Sequence, residues 1–199
     1  MPLDIESTKE AISLGASFMA LASTAYFWLV RANRERAQVQ VQPVGQTWGN
    51  VPMPQEDPEA YQRLTLEEGQ IPATYGIDFA VVNNSSLPNA LLGVKGWLQL
   101  ADDSWREAYV RIWEDSETPG KLPMNLSALN TAGLQLTLTI PIIGNYDGGF
   151  QGRRETAGNA LAQEHRVRLE LTALQGKTFL QDMLLPADEL ERTSLSQAA

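Results

Sequence analysis

The sequence predicts a mainly β protein, with one N-terminal transmembrane helix followed by an antiparallel immunoglobulin-like β-sandwich. The run from Ala11 to Val30 carries no formal charge. From Tyr75 to Leu185, short segments alternate apolar and polar residues with the period of half-buried strands. Turn-forming residues separate these segments, and no long helical pattern lies between them, which is typical of a sandwich.

The apolar run has the length that a helix needs to cross a bilayer, about 20 residues. Ser7 and Glu10 stand at capping-box spacing, which predicts that the helix begins just after Ser7. A cleaved signal peptide is a second interpretation, but its first residues should be basic and here they are acidic. A buried helix of a soluble protein is a third, although such helices usually carry a polar stripe.

The charges that flank the run differ in sign. Mostly acidic residues precede it and mostly basic residues follow it: Asp4, Glu6 and Glu10, with Lys9, against Arg31, Arg34 and Arg36, with Glu35. The positive-inside rule then places the N-terminus outside and the β-domain in the cytoplasm. We therefore expect a single-pass protein of a bacterial inner or photosynthetic membrane, with Tyr26 and Trp28 in the headgroup region beside the arginines.

Small residues cover much of the predicted span. They recur at helical spacings and would let other helices approach closely: Ala11, Gly15, Ala16, Ser17 and Ala20. This favours integral membrane protein subunits as partners, together with the lipid bilayer. The alternative, that alanine and serine are simply tolerated in the span, stays open.

Composition limits the function classes. The chain has 199 residues, a net charge of −9 and no cysteine, which suits one domain plus an anchor and excludes disulfides and thiol chemistry. The negative charge argues against a nucleic-acid partner, because no basic patch exists beyond the three arginines after the span.

Four regions follow from these patterns. They are an N-terminal segment with the membrane helix (1–36, span about 11–30), an extended Pro-rich segment with a first strand (37–74), the β-sandwich domain (75–186) and a polar tail (187–199). Val39 and Val41 mark the first strand, and Asp57 begins a short helix that reaches about Leu66. We expect a fragment beginning near Val44 to fold on its own. We also expect residues 144–158 to form a glycine-rich loop. A small closed barrel is the alternative to the sandwich.

A resemblance is visible in two stretches. VVNNSSLPNALLGVKGWLQL followed by a D-x-S-W turn, behind an anchor of the form YFWLVRANRER, resembles bacterial single-pass membrane-anchored proteins with an immunoglobulin-like sandwich domain, which are mostly of unknown function. The resemblance covers about a third of the chain and implies architecture only. In topology alone, the chain is also similar to the H subunit of bacterial photosynthetic reaction centres.

Catalytic patterns are not found in the sequence. His165 is the one histidine and cannot build a metal cluster. No G-x-S-x-G is present, and the glycines of GNYDGGFQG lack the G-K-[ST] of a phosphate loop. We therefore expect no enzyme activity, no metal and no cofactor.

Aromatic residues provide the remaining candidates. Trp97, Trp105 and Trp113 lie on predicted strands, where core packing is the simplest interpretation. The candidates for partner docking are Trp48, in the irregular segment, with Tyr146 and Phe150 in the glycine-rich loop.

The sequence thus predicts a non-enzymatic membrane-anchored interaction module, an accessory or stabilising subunit of a larger membrane complex. The alternative is a membrane-tethered sandwich that binds a small ligand or carbohydrate through its loops.

Overall fold

The structure, a computed structural model, describes residues 5–36, 38–45, 47–113, 118–146, 149–161 and 165–185. The predicted polar tail at 187–199 lies outside these residues. Within the described ranges, a long helix is followed by nine strands, two further α-helices and one 3₁₀ turn. The predicted mainly β, antiparallel fold with an N-terminal helix is confirmed.

Helix α1 runs from Ile5 to Glu35 and so already includes Ser7, after which the sequence predicted the helix to begin. The Ser17 and Thr24 hydroxyls donate to carbonyls four residues earlier, at 2.9 and 2.8 Å, so neither leaves an unpaired donor on an apolar surface. Among the described residues, this is the one helix long and apolar enough to cross a membrane. Its apolar window, Ile12–Glu35, has a mean hydropathy of 1.4, and none of it is buried against the rest of the chain. Helix α1 is therefore a candidate membrane span or signal sequence.

The strands and helices of the domain follow in chain order. They are β1 (Val39–Pro43), β2 (Trp48–Asn50), α2 (Pro58–Arg63), β3 (Gln70–Asn83), β4 (Asn89–Gln99), β5 (Trp105–Trp113), β6 (Met124–Leu126), β7 (Asn130–Ile143), α3 (Gly149–Ala160), β8 (Arg166–Ala173), a 3₁₀ turn (Leu174–Gly176) and β9 (Thr178–Leu184).

The strands form two antiparallel layers joined through β5. Their order is β1-β3-β7-β5-β4-β8-β9, with β2 added to β3 and β6 added to β4. The first half of β5 pairs with β4, whereas its second half, from Tyr109 to Trp113, pairs with β7. At the other side, the Gln181 side chain of β9 accepts from the Val41 backbone N–H at 2.9 Å and donates to its carbonyl at 2.6 Å. These contacts make the sheet nearly barrel-like, and the immunoglobulin-like class stays a prediction.

The core lies between the two layers. It is built by alternate residues of the long strands, as the period-2 pattern predicted. Among its largest fully buried side chains are Tyr75, Phe79, Leu91, Leu98, Leu136, Leu138, Leu169 and Leu171. At about 25 cal/mol per Å² of apolar surface, burial of these side chains is the main stabilising contribution of the domain.

The extended segment after α1 belongs to the sheet. β1 and β2 both pair with β3, covering residues 79–83 and 74–76 of its edge respectively. Val39 and Val41 are buried. The predicted domain boundaries stay predictions, but the hydrogen-bonded sheet begins at Val39.

Helix α3 occupies most of the stretch that the sequence predicted to be a glycine-rich loop. Its buried Ala157 contributes to the core, and the Tyr75 hydroxyl donates to the Ala157 carbonyl at 2.7 Å. Arg153 donates to the Val51 carbonyl at 3.1 Å and to Glu56 at 2.7 Å. Contacts that are distant in sequence therefore stabilise a helix whose own residues predict it poorly.

Candidate functional site

Strand pairing brings four residues into one row across the outer face of the β2-β3-β7-β5 layer. Trp48 of β2 lies opposite Gly76 of β3, Gly76 lies opposite Thr137 of β7, and Thr137 lies opposite Arg111 of β5. Because side chains alternate between the two faces of a sheet, this row faces away from the core residues beside it. The row forms the floor of the candidate site.

Trp48 lies across the backbone of β3. A Cβ placed on Gly76 would overlap the indole ring, so the ring can rest on the strand only because residue 76 is glycine. Trp48 keeps 44 % of its surface exposed. It is thus a fixed aromatic surface that is open on one side.

A largely buried ion pair ties the segment around α2 to this face. The Arg111 guanidinium binds both carboxylate oxygens of Asp57, with the Nη1 to Oδ1 distance at 3.0 Å, and the two side chains keep 17 % and 12 % of their surfaces exposed. Asp57 also caps α2 by accepting from the Ala60 N–H at 3.1 Å. One carboxylate therefore fixes both the helix start and the position of Arg111.

Two more contacts hold the same segment in place. The Tyr109 hydroxyl donates to Glu59 at 2.8 Å, and burial together with this carboxylate raises the pKa of Tyr109. The hydrogen bond from Arg153 holds the pKa of Glu56 below its ordinary value. Both carboxylates have cationic partners, so the excess negative charge at this site is small.

Trp113 forms the second aromatic wall. Its Nε1 donates to the Thr137 hydroxyl at 2.7 Å, and the Arg111 guanidinium lies 5.6 Å from the ring centre. The sequence predicted core packing for Trp97, Trp105 and Trp113, but all three are only half-buried. Trp105 lies under the Arg168 guanidinium, at 4.4 Å.

Together these residues enclose a cleft of about 300 Å³. It is lined by Trp48, Asn50, Pro52, Glu56, Asp57, Thr74, Arg111, Trp113, Gln135 and Thr137. Two buried polar atoms of the lining, Asn50 Oδ1 and Arg111 Nε, have no hydrogen-bond partner within the described part of the chain. Two aromatic rings, amide and hydroxyl groups, and balanced charge suit a neutral ligand with an apolar face and several hydrogen-bonding groups.

The three predicted docking residues are placed differently. Trp48 lines the cleft, whereas Tyr146 and Phe150 are not among its lining residues. Tyr146 is half-buried against the core, and its hydroxyl is hydrogen-bonded to the Tyr61 hydroxyl. Phe150 is 60 % exposed on α3, with the guanidinium groups of Arg153 and Arg154 each 5.9 Å from its ring. Partner docking by these residues stays a prediction.

The predicted membrane residues all lie on α1 or directly after it. Tyr26 and Trp28 are 65 % and 67 % exposed, and Arg31 pairs with Glu35 at 2.6 Å. A Cβ placed on Gly15 would have no other part of the described chain within 4 Å. Ala11, Ala16, Ser17 and Ala20 lie on the same helix, and Arg34 and Arg36 are exposed at its end.

Sequence reasoning missed Arg111 and placed Trp113 in the core. Arg111 pairs with Asp57, which is 54 residues away, so no local pattern marks the ion pair. The signal present in the sequence was the alternation of β5, which puts residues 109, 111 and 113 on one face.

Comparison with known proteins gives weak likenesses. No family model and no curated protein matches the chain. Among solved structures, a copper-bound PCuAC domain from PmoF2 is 14 % identical at a TM-score of 0.34, covering 76 % of this chain and 98 % of that one. A candidate lipoprotein from Bacillus subtilis subsp. subtilis str. 168 is 10 % identical at a TM-score of 0.40, covering 81 % and 41 % respectively. The archaeal flagellum of Methanospirillum hungatei strain JF1 is 12 % identical at a TM-score of 0.34, and the match covers 91 % of this chain and 85 % of that one. These values carry no information about binding or activity, so we infer function from the residues of this chain.

Proposed function

We propose that this protein is a non-enzymatic, membrane-anchored interaction module, an accessory or stabilising subunit of a larger membrane complex of respiratory, photosynthetic or envelope type. The observation that supports it most is the exposure of α1. Phe18, Leu21 and Leu29 each keep about 70 % of their surface exposed. An apolar helix with this much bare surface needs lipid or other helices around it. The grouping with bacterial membrane-anchored immunoglobulin-like sandwich proteins is part of the same proposal.

The proposal orients the helix by its flanking charges. Arg31, Arg34 and Arg36 follow the span, so the N-terminus lies outside a bacterial inner membrane and the β-domain lies in the cytoplasm. We expect protease added to intact spheroplasts to leave the β-domain undigested. Digestion before lysis would contradict this orientation.

Assembly is expected to depend on the small residues of α1 and on Trp48. Gly15→Leu adds bulk where a neighbouring helix would pack, and Trp48→Ala removes an exposed ring that is worth about 2 kcal/mol or more if it is a binding hot spot. Both variants should still insert and fold, because neither side chain is in the core. The measurement is the recovery of native membrane partners that co-purify with each variant.

The matched control for assembly is His165→Ala, which removes the one histidine of the chain. We expect this variant to recover its partners and keep its function. Full recovery for Gly15→Leu and Trp48→Ala, with loss of function for His165→Ala, would favour an enzyme instead.

Extraction in mild detergent followed by size exclusion tests the subunit role. We expect the protein to migrate with a large assembly. Migration alone, together with a ligand-dependent rise in melting temperature, would favour a ligand-binding protein.

The cleft favours that second candidate function, the binding of a small neutral ligand such as a carbohydrate. Trp48 and Trp113 offer the aromatic faces on which sugar rings stack, and the half-buried amide side chains of Asn50 and Gln135 line the cleft as hydrogen-bonding groups for hydroxyls. The cleft lies on a sheet face, whereas the sequence suggested the loops.

Gly76→Ala tests the cleft. The added methyl group overlaps the Trp48 ring, which must leave the strand. Since Trp48 is already exposed, the fold should lose little stability, but the affinity for neutral oligosaccharides should fall at least tenfold in a calorimetric titration. Gly133→Ala is the matched control, because a Cβ there meets nothing within 4 Å. Equal affinities in the two variants, or no binding by the unaltered protein, would contradict this function.

A further inference from the structure

The end of the β-domain from which α1 leaves is tied to the helix by hydrogen bonds. The Arg34 carbonyl accepts from the Ser86 N–H at 2.8 Å and from the Ser86 hydroxyl at 3.1 Å. The last carbonyls of a helix have no partner within the helix, and here the loop between β3 and β4 supplies one. The Asn84 N–H donates to the Gln38 carbonyl at 2.9 Å. Val39 follows Glu35 by four residues, which span about 14 Å at most, so this end of the domain stays close to the helix end.

Two loops at this end form one rigid unit. The buried Asn83 side chain donates to the carbonyls of Leu87 at 3.0 Å, Leu126 at 3.3 Å and Ser127 at 3.0 Å. The Leu129 N–H donates to the Ser85 carbonyl at 3.0 Å. The loop after β3 and the loop before β7 are therefore fixed to each other, and we call residues 84–88 and 127–129 the helix-side loops.

The helix-side loops carry two exposed leucines. Leu87 is 46 % exposed and Leu129 is 73 % exposed. Leu129 also has a φ of +50°, in the left-handed region that is unfavourable for a residue with a side chain. Glycine or asparagine would adopt this conformation at lower cost. An exposed leucine here gains nothing from the core, which points to a contact outside the domain.

We propose that the helix-side loops rest on the bilayer that α1 crosses, with Leu87 and Leu129 inserted at the headgroup and acyl boundary. This inference rests on the proposed membrane anchor. The bilayer is favoured as the contact because the helix end lies beside the loops, and Arg31, Arg34 and Arg36 are exposed there. Each arginine near an anionic surface is attracted to it, although Glu35 offsets part of the positive charge of Arg31.

The absence of cysteine from the sequence allows a direct depth measurement. The full chain is reconstituted in vesicles of phosphatidylcholine and phosphatidylglycerol, with one cysteine at a time carrying the environment-sensitive NBD fluorophore. The positions are Leu87→Cys and Leu129→Cys, with quenching by doxyl-labelled lipids as the readout.

Two further positions are controls. Ile143→Cys lies at the far end of β7 and is 88 % exposed. The length of β7 separates it from the helix-side loops, at most about 43 Å at about 3.3 Å per strand residue. Leu21→Cys reports on the span of α1.

We expect lipid quenching at positions 87 and 129 to be at least threefold stronger than at position 143. The label at position 21 should lie deeper in the bilayer than those at positions 87 and 129. Leu129→Gly should keep the melting temperature of the domain while lowering the quenching at position 87 at least twofold. If quenching at positions 87 and 129 is no stronger than at position 143 while position 21 is still quenched, the proposed contact of the loops with the bilayer is wrong and the membrane anchor still stands. No quenching at position 21 would overturn both.

Discussion

Leu136→Asp is expected to abolish the cooperative thermal melt of the β-domain. Leu136 is fully buried in β7, among the apolar side chains of the core between the two layers. A buried unpaired charge costs several kcal/mol, which is comparable with the total stability of a typical domain. Loss of the near-ultraviolet circular dichroism signal and of the sigmoidal melt would record this result.

The matched control for Leu136→Asp is Thr131→Asp, on the same strand but at an exposed position. We expect its melting temperature to stay within a few degrees of that of the unaltered protein. Similar melts for the two variants would mean that β7 does not pack as described.

A fragment that begins at Gln38 is expected to fold, whereas one that begins at Val44 should be much less stable. The shorter fragment lacks β1 and therefore the burial of Val39 and Val41, about 3 kcal/mol or more in total. It also exposes the β3 edge at residues 79–83 and removes the Val41 backbone groups that bond to Gln181. The difference is measured as the midpoint of chemical denaturation of each fragment.

This expectation moves the start of the foldable unit from Val44, where the sequence placed it, to before β1. The two fragments differ in six residues of sequence, none of which carries a charge, so net charge does not confuse the comparison. Equal midpoints would show that β1 contributes nothing to the sheet.

The sequence predicted the long strands well because their pattern is local. In β7 and β8, apolar residues alternate with polar ones along the chain. The alternating apolar residues of both strands are buried as predicted, whereas the sequence does not show that Thr137 and Thr139 of β7 are buried as well. Helix α1 was predicted for the same reason, since a long uncharged run needs no distant contact to be recognised.

Features that depend on contacts distant in sequence were missed. Helix α3 contains Gly152 and Gly158, which disfavour a helix, and it is stabilised from outside by Tyr75 and Val51. The division of β5 between two layers has no local pattern either.

The candidate site shows the same division. Trp48 was found because a tryptophan in an irregular, glycine-flanked segment is unusual. Its partners were not found, because the cleft exists only once β2, β3, β5 and β7 are side by side and the α2 segment is fixed over them by Asp57 and Arg111.

Retention of α1 in the mature protein tests the proposed anchor most directly. Membranes are washed with alkaline carbonate, and the protein in the pellet and in the supernatant is identified by intact mass. We predict that the protein stays in the pellet with residues 5–36 attached. A shorter chain in the supernatant, cleaved near the end of the apolar run, would show that α1 is a signal sequence and would contradict the membrane-anchored module.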